Sequence, residues 1–424
     1  MKPFLSNIWL SPNFKSALYS ISTGLIQQLL LLISGTLVAR LLGVEGRGLL
    51  ATIVVWAVLF SRVGTLGAPV ACTYLISRQP EKTPQILGEI YRIAIFQMVL
   101  LTIAFFLFLF LWSRGSPEEF QIAIYPALIF IPTSIIHQNS LAILQGLQHF
   151  RAFNLFRLLP LFLYVNIVLL LFVIKRDDLF FVVSAWAISF FLIAVLSIFY
   201  VLKKASIKWG NDKHLRNQIL KFGLKGHIGS LAPLETLRID QLAISIFLAP
   251  VSLGIYVVGQ AFSNLSLFIS VSASMVGYPV ISKQEQAIVR NHLMWKFFWG
   301  VTLLNGIISI LLVAAMPAII PLFFGQEFVS SVPIAQILII GSLLSGARRI
   351  ITEGMRGMGQ PQVSTIAEIS MYPWLLTGGI FLLIRHGILG LAISILIGQG
   401  LSLVVAIIIA LNPTRAKRND SSFS

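Results

Sequence analysis

The chain has 424 residues, of which 57% are hydrophobic and only 11% charged, with a mean hydropathy of +0.89. Soluble domains carry about 25% charged residues, and a soluble chain of this length could not hide so much apolar surface. The net charge is +16, yet the cations sit in short segments between apolar runs, which fits cytoplasmic membrane loops and not a nucleic-acid surface.

The chain opens on MKPFLSNIWLSPNFKS. No short apolar core followed by small residues marks a signal peptide there, so the first apolar span is expected to be retained. Crossing roughly 30 Å of hydrocarbon takes about 20 residues of helix. Segments of that kind fall at 18–39, 48–76, 90–112, 120–146, 155–174, 179–202, 217–247, 251–281, 294–316, 333–356, 363–384 and 388–411. Alternating barrel patterning is absent, and helices whose backbone bonds close internally are then the spanning solution. The predicted fold class is an all-α polytopic membrane protein of about twelve spans.

Twelve spans place both termini on one side. Of the 31 Lys and Arg, 21 fall on the terminus side of that scheme and six on the other: Arg40, Arg47, Arg114, Lys175, Arg176 and Arg385. The remaining four, Arg62, Arg238, Arg348 and Arg349, fall inside spans. The positive-inside rule therefore predicts cytoplasmic termini.

The chain also resembles itself. RLLGVEGRGLLA (40–51) aligns with IFLAPVSLGIYV (246–257), GAPV (67–70) with GYPV (277–280), and LQGLQHFRAFN (144–154) with MRGMGQPQVST (355–365). The offsets are 206, 210 and 211. Two six-span halves are expected, 1–205 and 206–424, joined by the basic linker KKASIKWGNDKHLRNQ. Six spans per half is even, so the halves share one orientation, the parallel-repeat arrangement of transporters.

ARLLGVEGRGLLA after the first span, LRIDQLAISIFLAPVSLGIYVVGQAFSNL (237–265) and RGMGQPQ (356–362) resemble the corresponding segments of Wzx-type oligosaccharide flippases. These belong to the multidrug/oligosaccharidyl-lipid/polysaccharide exporter (MOP) superfamily. The resemblance implies a MATE-like, V-shaped pair of six-helix bundles in the bacterial inner membrane. It also implies passage of undecaprenyl-diphosphate-linked oligosaccharide from the cytoplasmic to the periplasmic leaflet, for surface polysaccharide such as O-antigen and lipopolysaccharide. Membrane lipids and a glycan polymerase machinery are the expected partners, with H+ or Na+ as coupling ion and no nucleic acid.

A diphosphate and sugars cannot cross hydrocarbon unaided, so a polar path should betray itself as ionisable groups within spans. Arg62 stands in VVWAVLFSRVGTLG with no acid within a helical turn. It reads as a diphosphate ligand, since Arg offers planar bidentate hydrogen bonds, or as an interhelix salt bridge. Span seven carries Glu235, Arg238 and Asp240. Arg238 is a second diphosphate candidate, with Glu235 or Asp240 as cation or proton site; the bland alternative is a self-neutralised helix. Span ten holds Arg348, Arg349, Glu353 and Arg356. Spacings of four and three let Glu353 serve both Arg349 and Arg356, leaving Arg348 to point elsewhere. Glu368 in span eleven is either a coupling-proton carrier or a bond to a neighbouring helix. His137 in span four is more simply a core group. Pro69 and Pro279, matched across the repeat, are the candidate gating pair, while the linker 203–225 reads chiefly as topology-setting charge.

No phosphate-binding loop, paired His/Glu metal motif or nucleophile elbow occurs. No cofactor, metal site or catalytic constellation is expected. Two rival functions stay open at this level. One is a cation-coupled drug exporter of the MATE branch, which needs an acidic cavity. The other is a membrane-embedded glycan polymerase or ligase, which needs a large periplasmic loop. The second suffers because no non-cytoplasmic segment exceeds about a dozen residues. A structural scaffold is a weaker third.

Overall fold

A computed structural model of the chain describes residues 12–115, 118–231 and 237–411. Among these, nine helices are long and apolar enough to cross a membrane. Two of the nine contain two spans each. The first, α1 (Pro12–Gly64), is broken at Gly43, whose φ of 64° and ψ of −170° are not helical. Its 44-residue apolar stretch, Ile21–Gly64, would otherwise run about 66 Å, twice the hydrocarbon thickness. The last helix, Ile380–Leu411, is broken in the same way at Gly387.

Between them lie α2 (Ala68–Arg78), α3 (Thr83–Trp112), α4 (Glu118–Ile124), α5 (Ala127–Gly146), α6 (Phe150–Val173) and α7 (Leu179–Lys204). Then follow α8 (Lys213–Leu231), α9 (Ile239–Phe247), α10 (Pro250–Ser282), α11 (Ala287–Phe324), α12 (Ser331–Gly357), α13 (Gln362–Ile369) and α14 (Ile380–Leu411). Span seven, divided between α8 and α9, completes the twelve. It escapes a hydropathy search because α8 has as many polar as apolar positions.

Contacts divide the chain into two compact units, residues 33–242 and residues 1–32 with 243–424. In the unit 33–242, α5 is central. It packs on α7, α2 and α3, and Phe130 stacks on Trp186 with centroids 4.1 Å apart. In the other unit α12 is central, against α10, α11 and α14. A polar seam runs through its apolar packing: Ser266 Oγ donates to Asn305 Oδ1 (3.1 Å), and Asn305 Nδ2 donates to Ser270 Oγ (3.2 Å). Such bonds satisfy side chains that lipid could not, each contributing on the order of 1 kcal/mol.

Left-handed residues recur at the span junctions. Gly115 and Gly325 stand 210 apart, Gln148 and Gly359 stand 211 apart, and Lys175 and Gly387 stand 212 apart; all six have positive φ. The offset drifts in the direction of the sequence matches. The junctions after spans one and two do not follow this rule. Gly43 and Gly67 are left-handed, whereas Ala249 is extended and Gly277 lies inside a helix.

The linker into α8 is folded onto span three. Glu89 on α3 is 1% exposed. Its Oε2 accepts from Arg216 Nε (2.9 Å), and its Oε1 accepts from the Asp212 amide (3.0 Å). Arg92 adds a second cationic contact at 3.6 Å, and the Lys208 amide donates to Pro84 O at 2.9 Å. Asp212 then caps α8 by accepting from the Leu215 amide at 2.9 Å.

Candidate functional site

Span two does not run straight through, as 48–76 would suggest. It stops at Gly64, and Leu66 and Gly67 both take positive φ before α2 begins. The freed carbonyls find partners. Gln97 Nε2 donates to Thr65 O (3.0 Å), and His227 Nε2 lies 3.2 Å from Val63 O. The break is where α8 crosses, with the backbones of Gly67 and Gly223 in contact. A Cβ on Gly223 would stand 3.0 Å from the Gly67 carbonyl, so side chains are excluded from both positions.

Arg62 lies one turn before this break and is exposed. Arg238 lies at the mouth of α9 with φ of 49°. A left-handed arginine costs of order 1 kcal/mol or more and persists where surroundings impose it, commonly at binding sites. Arg238 is within electrostatic range of Arg62, of Arg47 and of Asp240, and Asp240 is buried. Arg47 in turn faces Tyr164 of α6. Arg47 and Arg62 share the unbroken stretch after Gly43. Fifteen residues separate them, about 22 Å of rise and about 60° of rotation. Arg47 and Arg62 thus form a ladder along one side of span two, with Arg238 within electrostatic range of both. The sequence reading placed Arg47 in a loop and missed it. The signal was there in the spacing from Arg62, but only once Gly43 is known as the turning point.

The exposed face of α8 continues the basic character. Lys213, His214, Lys221 and Lys225 are exposed, while Leu215, Ile219 and Gly223 are buried against α2 and α3. Tyr74 stacks on Phe222 with centroids 4.2 Å apart, which fixes the rotation of α8. Glu235, expected beside Arg238, lies outside the described residues, as do both chain ends.

The remaining predicted groups, His137 apart, belong to the other unit and are differently disposed. Arg348 and Glu368 form a buried ion pair at 2.5 Å, with side chains 4% and 11% exposed. Arg348 Nη2 also donates to Ser345 Oγ at 3.4 Å. Glu353 reaches Arg356 at 3.6 Å and not Arg349, which makes no ion pair among the described residues. The expectation of one carboxylate shared between Arg349 and Arg356 is corrected to a single i,i+3 pair. Arg356 leans over the Tyr278 ring at 5.3 Å. His137 is buried, edge-on to Phe190 at 6.0 Å. Span eleven is irregular: Pro373 opens a short turn that runs into a π-helix over Leu375–Gly379.

Comparison with solved structures gives full-length likeness at low identity. A multidrug resistance MATE family transporter of the MOP superfamily, inward-facing, superposes with a TM-score of 0.72 at 17% identity, over 96% of this chain and 100% of that one. The lipid II flippase MurJ, in an inward closed conformation, gives 0.77 at 15% identity over 92% and 87%. A MOP superfamily transporter from Pyrococcus furiosus gives 0.61 at 14% identity over 96% and 95%. At these identities the likeness establishes the twelve-helix fold. No curated protein sequence matches the chain. A family model described as polysaccharide biosynthesis protein matches residues 14–285, about two-thirds of the chain and all of the arginine ladder. The chain is a member of that polysaccharide biosynthesis family, built on the MATE-like fold.

Proposed function

We propose that this protein flips undecaprenyl-diphosphate-linked oligosaccharide across the bacterial inner membrane, with both termini cytoplasmic, and is a transporter and not an enzyme. One observation carries the reading: Arg47 and Arg62, about 22 Å apart along one span, both lie within electrostatic range of Arg238, and among the described residues Asp240 is the carboxylate that acts on Arg238. Cations collected in a low-dielectric setting repel one another and call for an anion. A diphosphate fits guanidinium geometry, and a ladder lets it leave one arginine for the next without full desolvation. Polysaccharide biosynthesis membership supports a glycan cargo. The halves 1–205 and 206–424 act as the two repeats; the recurring left-handed junctions support that division.

The Arg348–Glu368 pair is a poor second diphosphate site while closed. It suits a coupling role, in which H+ or Na+ competes for Glu368 and releases Arg348; Asp240 is the counterpart in the first unit. Arg349 remains open to an anion. The drug-exporter alternative needs acid in excess around the path, and among the described residues the charges around Arg238 run the other way. Arg62→Ala and Arg238→Ala are each expected to reduce surface-glycan export at native expression by at least tenfold, with bilayer insertion unchanged. Normal export in both variants would sink the diphosphate reading.

A further inference from the structure

A polar tripod sits one residue from Arg62. Ser61 Oγ and Ser134 Oγ are 2.7 Å apart. Gln138 Nε2 donates to both, at 2.9 Å and 3.0 Å. The two serines are buried, at 1% and 5% exposure, whereas Gln138 is only half-buried. Both amide hydrogens of Gln138 are therefore committed. Its carbonyl Oε1 has no partner among the described residues and is not enclosed. An open amide carbonyl in the middle of a span has no use for lipid, which offers no donor. It calls for a donor from water or from a ligand.

We infer that Gln138 is a specificity residue that accepts a hydrogen bond from the sugar attached directly to the diphosphate, from a ring hydroxyl or an acetamido N–H. This rests on the reading of Arg62 as a diphosphate ligand. Ser61 and Arg62 are chain neighbours, about 1.5 Å apart along the helix axis, so the guanidinium can reach the depth of the tripod. In the substrate the first sugar is one bond from the diphosphate. A group beside the anion contact meets that sugar and not the distal ones. The serines are positioning residues: they turn the amide so that its acceptor faces outward. A donor-bearing sugar is retained, and a sugar lacking a donor there leaves a desolvated carbonyl unpaired, which is the stronger source of discrimination.

The test uses the full chain in nanodiscs and measures binding of undecaprenyl diphosphate without sugar, and of the same lipid carrying N-acetylglucosamine or glucose. Wild-type protein should bind at least one sugar-bearing lipid about five- to tenfold more tightly than the bare diphosphate. Gln138→Leu should abolish that gain and leave bare-diphosphate binding within about twofold, which also reports that the variant is folded. The Ser61→Ala, Ser134→Ala double variant should lose part of the gain by the same criterion. Arg62→Ala should weaken all three lipids together. The inference is overturned if wild-type protein binds the three lipids equally, or if Gln138→Leu weakens them all alike. Failure of wild-type protein to bind even the bare diphosphate overturns the Arg62 reading and this inference with it.

Discussion

Arg348 and Glu368 show how differently two buried charges behave from a cluster of like ones. Their pair is short and almost wholly enclosed, so each group is worth most to the other. Removing one partner strands the second in a low-dielectric core, at a cost of about 3–5 kcal/mol, whereas replacing both by apolar residues is close to neutral. Arg348→Ala should therefore lower the thermal midpoint in detergent markedly, and the Arg348→Met, Glu368→Leu pair should recover most of it. If the double variant is stable and still exports glycan, Glu368 is not the coupling site. At this scale the sequence was informative where charges stood in apolar surroundings: Arg348 is paired with Glu368, and Arg62 and Arg238 lie within electrostatic range of each other. It was silent on Gln138, because a glutamine's meaning depends on Ser61 from another helix. It misled on Glu353, which pairs with Arg356 and not with Arg349 as well.

At the scale of helices, α8 is the informative case. Its composition is too polar for a lone spanning helix, and it is held by two devices: the Gly67–Gly223 crossing and the Glu89 clamp. Gly223→Ala forces a Cβ against a backbone carbonyl that cannot yield. It should displace α8, costing about 1–3 kcal/mol, read as a lower unfolding midpoint. Glu89→Ala takes the carboxylate from Arg216, which keeps Asn211 Oδ1, and removes the acceptor of the Asp212 amide. The linker should then open locally, and tryptic cleavage at Lys208 and Lys213 should quicken roughly tenfold or more; equal cleavage rates in both proteins would rule the clamp out. The sequence marked 203–225 as basic and left it a linker. Glu89 and Arg216 are 127 residues apart, and no local pattern links them. Most other helices were legible from apolar length alone, to within a few residues. The break at 65–67 and the left-handed Arg238 were not, because apolar runs continue through them.

For the molecule as a whole, the span count sets sidedness. Cys72, the chain's sole cysteine, is buried, so an introduced cysteine can be labelled without background. Asp177→Cys should react with an impermeant maleimide in intact cells, and Trp209→Cys only after permeabilisation. Labelling of both from outside would reverse the topology. The fold class and twelve-span order were fully legible, since they rest on hydropathy and length. What was not legible was the division of contacts, which begins its units at residues 33 and 243. These points stand 210 apart (243 − 33), the repeat's own offset, inside spans one and seven.

The matched left-handed junctions have a practical consequence. Where the later half has Gly359 or Gly387, the earlier half has Gln148 or Lys175 at a positive φ. If the two halves are repeats, each names candidate improvements for the other. Copying the later residue into the earlier position, Gln148→Gly and Lys175→Gly, removes a Cβ clash worth about 1–2 kcal/mol against a smaller entropic loss. Each change should raise the thermal midpoint in detergent, while the reverse grafts, Gly359→Gln and Gly387→Lys, should lower it.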